Sequence, residues 1–179
     1  FPTRRSSDLP EDALADADDG VERARRALAG QLDAGEQALD RGEDLVDEVK
    51  QVNATIVEII LRAKDGTPMK YVPGQFIFIG FPDSKGLEEV HPFSLSSAPV
   101  SDGLSIGVKG LGDYTNRLNE LKVGARAVLE GPFGRTSYVY YPQKNQIWIA
   151  GGIGITPFLS MARSLSPLSG YNVDLYYSA

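Results

Sequence analysis

Residues 46–130 consist of short runs in which apolar and polar residues alternate. Alternation with a period of two is typical of strands that bury one face, and turn-forming residues such as Asn53 and the pair Pro73-Gly74 separate the runs. Six short strands with one helix between the fifth and the sixth predict an antiparallel β-barrel of Greek-key type, capped by that helix. The predicted strands cover residues 46–52, 55–61, 75–81, 91–97, 104–109 and 125–130, and the predicted helix covers residues 113–121.

The chain changes character after Pro142. Residues 146–150 form an uninterrupted apolar run, which is typical of a parallel strand buried on both faces. A glycine-rich turn leads into a predicted helix over 156–165, and a second apolar strand over 173–177 follows. Because one β-α-β unit cannot bury both faces of its sheet, we interpret 143–179 as the first unit of a truncated α/β nucleotide-binding domain, preceded by a barrel domain over 45–142.

The beginning of the chain, residues 1–44, differs from both parts. Residues 1–50 contain seven basic and fourteen acidic residues, so they carry the acidity of a chain whose net charge is −6, and the remainder is nearly neutral. Leu14, Val21 and Leu28 recur at a helical spacing, but the apolar stripe is thin. We predict an acidic appendage that is helical or disordered. A coiled-coil partner helix is a second interpretation, and a segment foreign to the native protein is a third.

The composition excludes several kinds of site. The 179 residues contain no cysteine and one histidine, which excludes disulfides and iron–sulfur clusters and predicts no metal site in this chain. No apolar run approaches the ~20 residues that cross a bilayer, so we predict no transmembrane segment. No basic stripe is present, and nucleic acid is therefore not an expected partner.

The motif His91-Pro92-Phe93-Ser94 opens the fourth predicted strand. A flavin ring needs a flat apolar surface on one face, and the ring of Phe93 can supply it. The hydroxyl of Ser94 can both donate and accept a hydrogen bond, so it can serve the flavin N5 atom in both oxidation states. The alternative is an ordinary half-buried strand with its serine in water.

The second motif, Gly112-Asp113-Tyr114-Thr115, opens the predicted capping helix. Backbone N–H groups and the positive end of a helix dipole bind phosphate, glycine allows a phosphate to approach the backbone, and Thr115 can add a hydroxyl. The alternative is that Asp113 serves only as a helix N-cap.

The third motif covers residues 151–158 (GGIGITPF) and lies between a buried strand and a helix. Its glycines permit a tight turn and the close approach of a pyrophosphate, and Pro157 suits an early helical position. Since a strand, a helix and a second strand surround the turn in the expected order, we favour dinucleotide binding over an ordinary turn.

Residues 44–179 resemble the ferredoxin–NADP reductase superfamily, because the three motifs follow one another in the order found in that family. Residues 71–76 (YVPGQF) are similar to the family's lead-in to its third strand, and residues 131–134 (GPFG) to its barrel exit. The first motif is similar to the family's Arg-x-Tyr-Ser flavin motif, with His91 and Phe93 substituted, as in the NADPH oxidase and ferric reductase branch. Arginine stays charged and grips a pyrophosphate with two parallel hydrogen bonds, which histidine does not, so Lys109 and backbone amides would hold more of the FAD.

The resemblance implies FAD and NAD(P)H as cofactors of a flavin-dependent oxidoreductase. Such an enzyme passes hydride from NAD(P)H to FAD and then passes single electrons to a haem or metal acceptor. The resemblance gives Ser94 and Phe93 the catalytic positions. The implied cofactor-binding residues are His91, Pro92, Phe93, Ser94, Val108, Lys109, Gly112, Tyr114 and Thr115 for FAD, and Gly151, Gly152, Gly154, Thr156 and Pro157 for NAD(P)H.

The resemblance also implies a place in the cell. In the NADPH oxidase and ferric reductase branch, the reductase lies on the cytosolic side of a haem-carrying membrane domain. A cytoplasmic location, at the cytoplasmic face of a membrane, is therefore expected, with that haem domain or a separate protein as electron acceptor. Two alternatives stay open: a soluble reductase subunit that feeds an oxygenase or dehydrogenase, and a non-catalytic barrel that serves as an interaction module.

Overall fold

The computed structural model describes residues 40–179, and the side chains from residue 42 onward. The predicted acidic appendage therefore lies almost entirely outside the described residues, and the proposed division of the chain after residues 44 and 142 stays a prediction. Among residues 40–179, no helix combines the length and apolarity needed to cross a membrane.

The first part of the described chain is a curled six-stranded antiparallel sheet. Its strands follow the spatial order β4-β3-β6-β1-β2-β5. The two edge strands meet where Leu95 bridges Ile106 and the Ser96 N–H donates to the Ser105 carbonyl at 2.7 Å. The predicted six-stranded Greek-key barrel is confirmed. The strands are β1 Asp40–Gln51, β2 Ile56–Ala63, β3 Phe76–Gly80, β4 His91–Ser94, β5 Leu104–Lys109 and β6 Arg126–Phe133.

The capping helix lies between β5 and β6, as predicted. Helix α1 spans Asp113–Arg117 and continues as a 3-10 turn over Leu118–Glu120. Leu118 is buried in the barrel core, so this turn closes one end of the barrel. The position of α1 is therefore set by an apolar anchor at the end of the helix, which leaves its beginning at the surface.

Strand β1 begins at Asp40, six residues before the predicted start. Residues 40–45 pair with the 126–131 part of β6, so backbone hydrogen bonds hold them rather than an apolar side-chain pattern. The Glu43 carboxylate accepts from Lys64 at 2.7 Å and from Arg126 at 3.0 Å. Hydrophobic periodicity did not reveal this part of the strand, because backbone hydrogen bonds and charged side chains hold it rather than alternating apolar residues.

The barrel interior is one apolar cluster in which alternate residues of the strands point inward. Eighteen buried residues form it, with Ile59, Ile77 and Phe81 wholly inaccessible to solvent. Burial of this surface is the main favourable term in folding, at about 25 cal/mol per Å² of apolar area. The barrel is thus stabilised by its own core.

The second part is one β-α-β unit whose two strands, β7 and β8, are parallel. Helix α2 covers the face of the sheet that carries Trp148, whereas Ile147 and Ile149 are 67% and 75% exposed on the other face. The prediction that this strand is buried on both faces is wrong for the described residues, because α2 covers one face alone. The elements are β7 Asn145–Gly151, a 3-10 turn Gly152–Ile155, α2 Thr156–Ser164, a 3-10 turn Pro167–Ser169 and β8 Asn172–Ser178.

The two parts touch near the start of β3. Gly74 has φ +94°, and a Cβ built on it would overlap the backbone carbonyl of Thr136, which follows β6. Met161 of α2 lies 3.3 Å from the same point. Only glycine fits here, because both the backbone conformation and the available space exclude a side chain.

Candidate functional site

Strand β4 places the first motif on the rim of the barrel. Phe93 pairs with Ile77 of β3 and packs against the edge of the core, while Ser94 pairs with Phe76. Both side chains are half-buried and Pro92 is exposed. Part of the Phe93 side chain is thus accessible at the rim, and part of the Ser94 side chain is accessible at the next position of the strand.

His91 connects the first motif to the second. Its ring centroid lies 3.9 Å from that of Tyr114, at an interplanar angle of 44°. The Nε2 atom of His91 lies 3.2 Å from a carboxylate oxygen of Glu89. Two motifs separated by about twenty residues are therefore in contact, and a phosphate that approached His91 would compete with Glu89.

The hydroxyl of Tyr114 is buried without a hydrogen-bond partner among the described residues. Burial raises the pKa of Tyr114 above the ordinary tyrosine value, and the charges of Glu89 and Glu88 act in the same direction. The phenol therefore stays protonated and remains a donor. An unsatisfied buried hydroxyl costs about 1–3 kcal/mol, so this atom favours the arrival of an acceptor.

Thr115 acts on the loop that precedes α1. Its Oγ1 atom accepts hydrogen bonds from the N–H groups of Leu111 at 2.9 Å and of Gly112 at 3.1 Å. The hydroxyl predicted to meet a phosphate is thus engaged in shaping the loop. Gly112 has no atom within 4 Å of the place where a Cβ would stand, which leaves open space at the start of the helix.

The end of β5 brings Val108 and Lys109 toward the same rim. Val108 is buried in the core, so the next residue points the other way. Lys109 is half-buried and has no ion pair with any residue that the structure describes. A cation without a protein counter-charge is suited to an anionic ligand.

The glycine-rich turn joins β7 to α2. Gly152 has φ +50°, and no atom lies within 4 Å of a Cβ built on Gly151, Gly152 or Gly154. Thr156 is buried and donates from Oγ1 to the Ile153 carbonyl at 2.7 Å, and Pro157 lies in the first turn of α2. The turn therefore offers open backbone, while the threonine hydroxyl is used to hold its shape.

The third motif lies against the barrel. Thr156 approaches within 3.7 Å of the position that a Cβ on Gly107 of β5 would take. The structure thus brings the flavin motif, the α1 motif and the glycine-rich turn around the seam between β4 and β5. All fourteen site residues predicted from the sequence belong to these elements, and their roles stay predictions.

The sequence profile of a family described as "FAD-binding domain" matches residues 45–137. This match covers the barrel, the flavin motif and the α1 motif. The chain belongs to this family of FAD-binding domains.

Similar proteins agree with this assignment. The domain is 33% identical over 134 residues to NADPH oxidase 3 of Rattus norvegicus, an alignment that covers 69% of this chain and 23% of the relative. A solved ferredoxin reductase in carbazole 1,9a-dioxygenase is 25% identical with a TM-score of 0.68, covering 79% of this chain and 44% of that one. The flavohem-like FAD/NAD-binding domain of nitric oxide dioxygenase from Vibrio cholerae is 27% identical with a TM-score of 0.65, covering 76% and 61%. This chain spans less than a quarter of the length of NADPH oxidase 3.

The residues of this FAD-binding domain fit FAD. The unpartnered donor of Tyr114, the open backbone at Gly112 and the cation of Lys109 are what an anionic pyrophosphate requires. The anchored ring of Phe93 suits an aromatic ligand. Two carboxylates oppose an anion at this place: Glu89, which already faces His91, and Glu88, whose charge also acts on Tyr114.

Sequence reasoning did not reveal one buried polar group that joins the barrel to α2. Ser97, Ser160 and Tyr71 form a buried hydrogen-bonded group between the barrel and α2. Ser97 lies only three residues after Ser94, and the two serines at the end of the predicted strand 91–97 were the available signal. Its partner on α2 is 63 residues away, and no local pattern connects the two.

Proposed function

We propose that this domain is part of a flavin-dependent oxidoreductase that uses NAD(P)H. The observation that supports it is the convergence of the three motifs at one seam of the barrel: the His91–Tyr114 ring contact joins the first two, and Thr156 packs beside β5. When bound, FAD accepts hydride from a nicotinamide and releases single electrons to an acceptor. The protein's own contribution is to bind, orient and exclude water.

The residues of the barrel would divide the work of holding FAD. Phe93 supplies the surface for the ring system, and Ser94 offers a hydroxyl near the reacting nitrogen. Tyr114 and Lys109 face the pyrophosphate together with the amides at the start of α1. Pro92, Val108 and Thr115 shape the strand and the loop that carry these groups.

The glycine-rich turn would take the pyrophosphate of NAD(P)H. The open backbone at Gly151, Gly152 and Gly154 allows the close approach, and the first turn of α2 presents its N–H groups. Thr156 holds the turn through the Ile153 carbonyl, and Pro157 begins the helix. Binding at this place leads the nicotinamide toward the seam where Ser94 stands.

The electron acceptor would be a haem or metal centre outside residues 40–179. The similarity to NADPH oxidase 3 supports a haem-containing membrane domain and a location at the cytoplasmic face of a membrane, where NAD(P)H is available. The similarity to a ferredoxin reductase supports the second candidate, a reductase subunit with a separate acceptor protein. A haem Soret band in the membrane fraction that carries the native protein separates the two, because the second candidate predicts none.

The first experiment is optical. The purified protein should show the absorption bands of oxidised flavin, and these bands should bleach in a stopped-flow instrument after NADPH or NADH is added. A protein that binds no flavin would overturn the proposal and leave the non-catalytic barrel. The bleaching is measured on the native protein with its whole nucleotide-binding domain, and FAD that is bound there without bleaching by either nucleotide would overturn the hydride step.

A substitution then tests the role of Ser94. Ser94→Ala should slow flavin reduction by about tenfold, which corresponds to the loss of one hydrogen bond of ~1.4 kcal/mol. FAD affinity should stay unchanged because the ring and phosphate contacts remain. Ser101→Ala, in the exposed turn between β4 and β5, is the matched control and should leave the rate unaltered. Equal rates for Ser94→Ala and the native protein would exclude the assigned role.

A further inference from the structure

A buried polar group connects the barrel to α2. The backbone carbonyl of Ser97 accepts hydrogen bonds from the Ser160 hydroxyl at 2.6 Å and from the Tyr71 hydroxyl at 3.0 Å. Ser160 is wholly inaccessible to solvent, and Ser97 and Tyr71 are 5% and 6% exposed. These bonds lie in the contact between the two parts of the molecule, where low polarity strengthens them.

Each side-chain hydroxyl in this group has a hydrogen-bond partner. The Ser97 hydroxyl oxygen accepts from the Ser105 N–H at 2.9 Å and lies 2.8 Å from the Tyr71 oxygen. With Tyr71 donating to the Ser97 carbonyl, the Ser97 hydroxyl donates to Tyr71, and both lone pairs of that carbonyl are used. Buried hydrogen bonds of this kind are directional, so they hold their members in a defined register.

Arg163 makes a second bond from the same face of α2. It lies three residues after Ser160, and residues with this spacing share one face of a helix. Its guanidinium donates to the Ser96 carbonyl at 2.9 Å and lies 3.5 Å from the Glu58 carboxylate. The carbonyls of the adjacent residues Ser96 and Ser97 therefore accept hydrogen bonds from side chains on one face of α2.

The bonded residues are close to both proposed cofactor sites along the chain. Ser96 and Ser97 follow Ser94 by two and three residues, on the segment where β4 meets β5. Ser160 follows Thr156 by four residues, about one helical turn or ~6 Å. A shift of α2 would thus move the glycine-rich turn relative to the flavin strand.

We propose that Ser160 and Arg163 are positioning residues that set the glycine-rich turn against the flavin strand, and so set the nicotinamide over the flavin. This inference rests on the proposed function. Hydride transfer requires the reacting atoms at about 3–3.5 Å, and a misplacement of ~1 Å can lower the rate 100-fold. Polar bonds suit this task because they fix direction and register, which apolar packing does less strictly.

Ser160→Ala in the FAD-loaded protein tests the proposal. We expect the limiting rate of flavin reduction at saturating NAD(P)H to fall about tenfold, as for one lost hydrogen bond. The dissociation constants of FAD and of the nucleotide should change less than about threefold. Arg163→Met should give the same pattern. Ser164→Ala is the matched control, because the Ser164 hydroxyl donates to the Ser160 carbonyl within α2 and not to the barrel.

Amide hydrogen exchange without nucleotide provides a readout that does not depend on activity. In Ser160→Ala, exchange at residues 152–156 should accelerate severalfold, while exchange in β1 and β6 stays unchanged. Ser160→Cys keeps a weak donor of similar size and should restore part of the protection.

Several results would overturn the proposal. One is an unchanged limiting rate with unchanged exchange at the turn. Another is a rate that falls only in proportion to lost FAD affinity and lost stability, which indicates a purely structural role. If the native protein is not reduced by either nucleotide, the proposed function fails, and the exchange experiment still decides whether Ser160 holds the turn.

Discussion

The barrel and the β-α-β unit are stabilised in different ways. In the barrel, eighteen buried residues form a core enclosed by the sheet, whereas the cluster beneath β7 contains three buried residues, Tyr138, Trp148 and Met161. The barrel sheet has its apolar face inside, while the two-stranded sheet exposes Ile147 and Ile149 on the face opposite α2. The barrel therefore encloses a large core of its own, whereas the core of the β-α-β unit is much smaller.

This difference matches the tasks proposed for the two parts. The flavin residues stand on a strand that is paired within the barrel, so their geometry follows from the stable core. The glycine-rich turn stands on the smaller unit, and the bonds from Ser160 and Arg163 attach that unit to the segment that follows the flavin strand. The position of the glycine-rich turn relative to the flavin strand is thus set by these polar contacts rather than by the small core of the β-α-β unit.

The largest expected effect comes from the barrel core. Phe81→Ala should destabilise the protein by about 3–5 kcal/mol and abolish FAD binding, because Phe81 is wholly buried. Phe158→Ala removes the same atoms from the partly buried edge of the smaller cluster and should cost clearly less. Urea unfolding followed by tryptophan and flavin fluorescence measures both. Equal losses for the two variants would remove the contrast, and coincident tryptophan and flavin transitions would show that the two parts unfold as one unit.

The two methionines provide a second comparison. Met161→Ala should cost about 2 kcal/mol or more and loosen α2 while FAD affinity is retained, since Met161 belongs to the smaller cluster. Met69→Ala removes the same side chain from the barrel cluster and should lower FAD affinity together with stability. Limited trypsin digestion at Arg163, combined with FAD titration, distinguishes the outcomes. Loss of FAD from Met161→Ala would show that the barrel depends on α2.

The smallest expected effect concerns the charged rim of the barrel. Hydrogen bonds from Lys64 and then Arg126 lower the pKa of Glu43 below the ordinary 4.5, and Arg126 lowers the pKa of Asp83 below the ordinary 3.8. A lowered folded pKa contributes stability above these ordinary values, and the contribution is lost as the pH falls through the lowered ones. Arg126→Met should therefore melt slightly below the native protein at pH 7, and the two midpoints should converge as the solution is acidified through this range.

Lys50→Met is the control for this series. It removes one positive charge without removing an ion pair of the described residues, and its offset from the native protein should not vary in this way. Parallel thermal unfolding curves for Arg126→Met and the native protein at every pH would contradict the assigned coupling. Because these groups are exposed or partly exposed, salt should weaken the effect.

The amino-acid sequence by itself determined the six-strand barrel, the capping helix, the β-α-β unit and the order of the three motifs. These features depend on local information: alternation with a period of two, glycines at tight turns, and an apolar run between them. The same local information placed His91, Gly112 and Gly152 where the structure has them, on a strand, at a helix start and in a turn.

The tertiary structure alone decided which groups meet. It extended β1 back to Asp40 through pairing with β6, placed Glu89 beside His91, and joined Ser97 to Ser160. Backbone pairing and buried hydrogen bonds between distant residues leave no periodic pattern in a sequence, because they arise from the packing of elements on one another. The exposed face of β7 has the same origin, since an apolar run indicates what a strand can bury and not what covers it.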